Sequence, residues 1–328
     1  MTNARFLGTG LLALGLVLLQ LSQVEAATPS KYLPDNSEAV LRIKVKELLE
    51  TEIVKKNALE QIKTALRENI QLGLVFDTLG FDPLKDIDSI TIAVHDFKFS
   101  PPMAGGTPES PFGGFFALVQ GNFDLDKFHS TLAEAAKQMP NELSVSEHGG
   151  FKVYEAKQAG QPTYVAFLDK QTAVAGNKKD LVANAIDVHL GKRKPAPNRT
   201  IVNMLAKVSE SQPVIIALPL PSAAKEAMRN NPQLAVLADN LEGFTASATV
   251  GKDATADIFV HTNDAQVAQQ LRGQLEGLKL FAAAAIQGQN LPGGELLAEL
   301  VQGLKTNADG KTVTLKLELT QAMIDRAK

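Results

Sequence analysis

Apolar and polar residues alternate in short runs along most of this chain, and stretches of helical spacing separate those runs. Ala39, Leu41, Ile43 and Val45 alternate with Glu38, Arg42 and Lys44, the period-two pattern of a strand with one buried face. Leu59, Ile62, Leu66 and Ile70 then recur at helical spacing, and the region closes near Leu79-Gly80 before the turn Phe81-Asp82-Pro83. Ile90, Ile92 and Val94 predict a second strand, and 115–119 a third. A helix opening at Asp124 carries Leu125, Phe128, Leu132, Ala135 and Met139 on one face. Short strands are expected at 143–146, 151–156, 163–168 and 172–175, with Gly149-Gly150 and Asp169-Lys170 as turns, followed by a helix over 178–190.

Beyond Lys192-Arg193-Lys194 and Pro195-Ala196-Pro197, which read as a solvated linker, a short helix at 201–208 precedes a repeat of this order. Strand 214–218, helices across 222–241, and strands 244–250 and 254–260 lead to a helix opening at Asp264, with Val267, Leu271, Leu275 and Leu278 aligned. A last strand alternates Val313, Leu315, Leu317 and Leu319 against Thr314, Lys316 and Glu318. Asp124 and Asp264 each stand where a carboxylate accepts the free N–H groups of a first helical turn, so both are expected to be N-caps.

Both segments therefore predict β-α-β-β-α-β, an α+β fold of two ferredoxin-like pseudo-repeats, with extra strands and a helix appended to the first. Thr245, Ser247 and Thr249 alternate against Phe244, Ala246, Ala248 and Val250, which points to antiparallel sheets with helices on one face. The expected division is a signal peptide over 1–26, a first lobe over 27–191, a linker over 192–198 and a second lobe over 199–328. Spacing leaves open whether the two sheets join edge to edge or pack face to face. The segment from Ser100-Pro101-Pro102 to Pro111-Phe112-Gly113-Gly114 falls outside the pattern and reads as a flap or a disordered loop.

Arg5 precedes an apolar run over 6–21 and a small-residue exit, Val24-Glu25-Ala26-Ala27, which is the pattern of an export signal with Ala27 as the first mature residue. As a helix that run reaches roughly 24 Å, short of the ~30 Å core of a bilayer, so cleavage is expected rather than anchoring. No later stretch is apolar enough to span a membrane. The expected address is periplasmic or extracellular, free or associated with the cell envelope. The chain has no cysteine, which removes disulfides, thiol nucleophiles and a lipid-bearing cysteine. A formal net charge of −3 with interspersed signs argues against nucleic-acid binding.

Candidate chemistry is sparse. His95 and His261 fall on the polar faces of their strands, His129 near a helix start, His148 in a hairpin turn and His189 at a helix end, and no HExxH or i, i+4 histidine pair occurs. Scattered surface histidines are the expectation. Asn122-Phe123-Asp124-Leu125-Asp126 opens like a calcium loop, but Lys127 stands at the turn-glycine position and Ala133 where the bidentate Glu belongs. Ser222-Ala223-Ala224-Lys225 is an S-x-x-K at a helix start, the spacing at which a Lys helps deprotonate a Ser, yet Lys311-Thr312-Val313 is the nearest thing to K-T-G. Ser222 after Pro221 is a natural N-cap, and that is the preferred reading. His148-Gly149-Gly150 lacks a G-x-S-x-G to serve, and no phosphate-binding glycine motif is present.

Four stretches together resemble a family of uncharacterised exported proteins common in planctomycete bacteria: Tyr32-Leu33-Pro34-Asp35-Asn36, Gly80-Phe81-Asp82-Pro83-Leu84-Lys85-Asp86-Ile87-Asp88, the run from Leu168-Asp169-Lys170 to Gly176, and Asp309-Gly310-Lys311-Thr312-Val313-Thr314-Leu315. The resemblance implies export and a two-lobed α+β fold and brings no activity. The expectation is thus a non-catalytic exported protein that binds an unidentified partner or ligand through its sheet faces or an inter-lobe groove, with no catalytic, cofactor or metal residue assigned. Two alternatives are a serine hydrolase or acyl-transferase using Ser222 and Lys225, and a carrier of apolar molecules lined by Phe281-Ala282-Ala283-Ala284-Ala285-Ile286 and the helix over 296–304.

Overall fold

A computed structural model of the chain describes residues 30–68, 76–97, 112–158, 161–232, 234–287 and 294–326. The expected signal peptide lies outside these residues, as does most of the 100–114 segment. In chain order the first half contains β1 (Ala39–Ile43), α1 (Val45–Glu50), α2 (Glu52–Asn57), α3 (Leu59–Glu68), α4 (Pro83–Asp86), β2 (Ile87–Phe97), β3 (Phe112–Gly121), α5 (Leu125–Gln138), β4 (Leu143–His148), β5 (Phe151–Gln158), β6 (Gln161–Asp169), β7 (Thr172–Gly176) and α6 (Lys179–His189). The second half contains α7 (Arg199–Leu205), β8 (Val214–Pro219), α8 (Ser222–Arg229), α9 (Ala235–Asn240), β9 (Leu241–Val250), β10 (Ala254–Thr262), α10 (Ala265–Gln287), α11 (Gly294–Gly303), β11 (Lys305–Asp309), β12 (Thr312–Leu319) and α12 (Gln321–Arg326).

All of these strands belong to one sheet, ordered β11-β12-β10-β9-β8-β1-β2-β3-β7-β6-β5-β4, and every neighbouring pair is antiparallel. The halves meet edge to edge where β1 pairs with β8. A ferredoxin-like unit sets its first and third strands side by side and parallel. Here β1 instead pairs antiparallel with β2 and β8, and β8 with β1 and β9, so the expected ferredoxin-like pairing is corrected to a meander. In each half a three-stranded meander is followed by a helix, and the last strand returns beside the third: β7 beside β3, and β12 beside β10.

The two halves repeat fine details of that return. Gly121 N–H donates to the Gln171 carbonyl (3.0 Å) and Thr262 N–H to that of Lys311 (2.8 Å). The next residues match too, Asn122 N–H reaching the Asp86 carbonyl (2.8 Å) and Asn263 N–H that of Asn240 (2.9 Å). Asp124 caps α5 by accepting from Lys127 N–H, and Asp264 caps α10 by accepting from Gln266 N–H (2.7 Å) and Val267 N–H (3.1 Å), as the sequence predicts.

A single row of directly opposed residues crosses eleven strands: Leu315, Ile258, Ala246, Ile216, Leu41, Ile92, Ala117, Ala175, Val165, Tyr154 and Val145. All are apolar but for the Tyr154 hydroxyl. Because opposed residues share a face, this row defines the Leu41 face of the sheet. On it, α5 packs over the β4–β7 end, where Phe123, Phe128 and Phe167 join Tyr154. At the other end α10 covers Val260 and Val313 with Ala268, Leu271 and Leu275.

The opposite, Val40 face carries the largest core. There α6 and α7 bring Leu181, Val182, Ile186, Ile201 and Met204 onto Val40, Ala93, Phe116, Leu118, Val174, Ile215 and Ala217, a cluster drawn from both halves. The first half therefore has helices on both faces, correcting the one-faced arrangement expected. The 192–198 linker is tied down at both ends, Arg193 to Asn184 and Asp35, and Asn198 to Ser37 while its side chain caps α7.

Candidate functional site

The sequence-derived catalytic candidates do not converge. Ser222 is the first helical residue of α8, exposed, with Pro221 at the N-cap and no side-chain cap. The N-cap role expected of Ser222 is thus not taken, because Pro221 carries the extended backbone geometry that precedes the first turn. Among the described residues no hydrogen bond joins the Ser222 hydroxyl to Lys225, whose N–H donates to the Pro221 carbonyl (3.0 Å). Phe123, at the second position of the calcium-like run, is buried in the aromatic cluster under α5.

The histidines are not scattered surface groups. His95 and His261 are each 1 % exposed. His95 Nδ1 lies 3.0 Å from an Asp96 carboxylate oxygen, which Lys178 also holds (2.8 Å). His261 Nε2 meets the Thr245 hydroxyl (2.8 Å), and Lys207 Nζ approaches its Nδ1 (3.3 Å). Since an ammonium only donates, Nδ1 accepts and Nε2–H donates to Thr245, which defines the neutral tautomer. Burial first and the Lys207 charge second depress the His261 pKa to about 4. His129 bonds the buried Tyr154 hydroxyl (2.6 Å), whose pKa burial pushes up to about 12. His148 pairs with Asp187 (2.9 Å) and His189 with Tyr32 (3.0 Å). His129, His148, His189 and His261 thus each tie one element to another, while His95 bonds its neighbour on β2. Among the described residues no group of three His, Cys, Asp or Glu is placed to hold a metal, and no helix is long and apolar enough to cross a membrane.

What the structure does assemble is an apolar strip at the middle of the Leu41 face. Strand β8 contributes Val214, Ile216 and Leu218, β1 contributes Ala39, Leu41 and Ile43, and β2 contributes Ile90, Ile92 and Val94. These strands lie between the parts of the sheet that α5 and α10 cover, and the strip straddles the seam of the two halves. All of these side chains stay partly accessible, and Ile216 is 40 % exposed. The other face of the same strands is more deeply buried, with Val40 at 3 %, Ile215 at 1 % and Ala217 at 0 %, and Thr91 and His95 are buried there too while Arg42 stays partly accessible. The more aliphatic face is the more open one.

The strip is roughly 14 Å across and 17 Å along, from strand spacing of ~4.8 Å and rise of ~3.4 Å per residue. Every backbone group inside the sheet is engaged by a neighbouring strand, so the strip offers hydrocarbon and no hydrogen-bonding group. Sequence reasoning marked these residues as strand positions but assigned them to a covered core. The alternation of Ile90, Ile92 and Val94 contains no signal of which face a distant helix will cover. The stretch expected to line a carrier is placed differently, at the distal end of α10 and on α11, where Phe281 is 74 % and Leu297 46 % exposed.

No curated protein matches this chain. Among solved structures, one titled as crystal form I of TP0453 aligns with a TM-score of 0.46 at 10 % identity, covering 92 % of this chain and 96 % of the other. A family model described as a protein of unknown function, DUF3352, matches residues 88–321, and the chain belongs to that family.

Proposed function

We propose that this is an exported, non-catalytic binding protein whose ligand or partner lies with its apolar surface on the Val214–Leu218, Ala39–Ile43 and Ile90–Val94 strip of the sheet. One observation carries the reading: nine aliphatic side chains on three adjacent strands are left partly open while the opposite face of those strands is mostly buried. Contiguous apolar surface of this kind is costly to leave in water and marks interaction sites in soluble proteins. The export pattern of the first twenty-seven residues supports an extracytoplasmic setting.

Enhancement of 1-N-phenylnaphthylamine fluorescence tests the strip directly. The wild-type chain is expected to bind the probe. Ile216→Glu, at the most exposed position, is expected to weaken binding at least tenfold with the urea midpoint unchanged. Equal probe binding by the charged variant overturns the assignment of the strip. Native mass spectrometry of the protein purified from its own host identifies any retained ligand, and N-terminal sequencing at Ala27 tests export.

A further inference from the structure

Among the described residues the two edge strands of the sheet are built differently. At one end β11 is five residues long, with exposed Lys305, Asn307 and Asp309 alternating along it, charges of the kind that discourage pairing by another strand. At the other end β4 is six residues long with no lysine and no proline, and Glu147 is its one exposed charge. Its Val145 is 40 % exposed and terminates the apolar row that crosses eleven of the twelve strands. Met139, at the end of α5 on that same face, is 46 % exposed, and its carbonyl holds the Leu143 N–H at the start of the strand (2.9 Å). An edge strand leaves backbone donors and acceptors without sheet partners, and β4 adds the exposed Val145 beside them.

We propose that β4 is a dimerisation edge, pairing antiparallel with β4 of a second copy of this chain so that the sheet continues through the interface. A two-fold axis perpendicular to the sheet keeps the faces continuous and requires opposed residues of like face, a condition the register centred on Val145 meets. Centred on Val145, that register sets Val145 against Val145 of the second copy, Ser144 against Ser146 and Leu143 against Glu147. No two like charges oppose one another, since the only other ionisable side chain of the strand, His148, is turned to Asp187. The row from Leu315 to Val145 then runs on into the second copy without interruption. This inference is independent of the strip on the central strands, which remains open in monomer and dimer alike.

Sedimentation velocity over a concentration series tests it. The wild-type chain is expected to form a dimer. Val145→Lys and Val145→Glu, which set like charges against each other at the axis, are each expected to weaken it at least tenfold while far-UV circular dichroism and the urea midpoint stay unchanged. An equimolar mixture of the two variants is expected to recover dimer. The natural chain has no cysteine, so Val145→Cys treated with diamide is expected to form a covalent dimer, because directly opposed strand positions bring Cβ atoms to roughly 4.5–5.5 Å. Asn307→Cys on the opposite edge is expected to remain monomeric under the same treatment. A wild-type chain that stays monomeric throughout the series overturns the proposal. So does retention of full affinity by both charged variants, or failure of Val145→Cys to cross-link above the Asn307→Cys control.

Discussion

Arg42 on β1 and Glu210 on the loop before β8 clasp the seam between the two halves: one guanidinium nitrogen holds the Glu210 carboxylate and the other its backbone carbonyl at 3.1 Å. The Arg42 side chain is only 15 % exposed and its Nε has no partner among the described residues, whereas Glu210 is 32 % exposed. Removing either partner is therefore unequal. Glu210→Ala leaves a nearly buried guanidinium uncompensated and is expected to cost about 2–3 kcal/mol, while Arg42→Met leaves a carboxylate that water can reach and is expected to cost about 1 kcal/mol or less. Urea unfolding measures both, and a larger loss for Arg42→Met contradicts the assignment.

Gly114 is the cross-strand partner of His95, and a Cβ there would lie 1.9 Å from the imidazole Cε1 and 2.2 Å from Nε2. The ring cannot retreat easily, being buried and held through Asp96, whose backbone is in the left-handed region (φ 55°) and whose carboxylate is bound by Lys178. Gly114→Ala is expected to destabilise by about 2–4 kcal/mol through overpacking. In Gly114→Ala/His95→Ala the clash is gone, so the double variant is expected to lose at least about 1 kcal/mol less than the sum of the two single losses. Additive losses in guanidinium unfolding would place the ring elsewhere.

Asp264 satisfies two backbone donors at the start of α10, and Asp124 one at the start of α5. Asp264→Ala is expected to cost about 1–2 kcal/mol and Asp124→Ala about 0.5–1 kcal/mol, with Ser restoring most of the loss at either site. Thermal melts of the four variants check the order.

Those two caps were legible because capping is a local matter: a carboxylate, a first turn and an apolar stripe lie within a few residues of one another. The strands were legible for the same reason, their period being two whichever face is covered. Pairing is not local. The order β-α-β-β-α-β is compatible with a parallel neighbour for β1 or with the observed meander, and Leu41 facing both Ile92 and Ile216 decides between them only in three dimensions. The same limit hid the strip. Val40 and Leu41 are both aliphatic, and only the placement of α6 and α7, far along the chain, buries the first and leaves the second partly open. His95 and His261 sat among polar residues on their strands, yet the polar face at those positions is the interior one, where Thr91 and Thr245 are buried with them.

His261 makes the interior polar face sensitive to acid. Its folded pKa of about 4, depressed by burial and then by Lys207, lies below the ordinary value of 6.5. A base whose folded pKa is depressed binds its proton more readily in the unfolded chain, so this group's contribution is complete above about pH 6.5, falls as the pH drops toward 4, and changes no further below that. With solvent screening on the Lys207 side discounted, the loss across that window is of the order of 1–3 kcal/mol. His261→Gln keeps a donor for the Thr245 hydroxyl but carries no titrating ring. It is expected to be less stable than the wild type at pH 7 and to show a flatter dependence between pH 6.5 and 4. Urea midpoints measured across that range decide the point: an unchanged slope in His261→Gln would assign the acid sensitivity to other groups, and a His261 ring signal that titrates near pH 6.5 in proton NMR would show that the imidazole is hydrated rather than enclosed with Thr245.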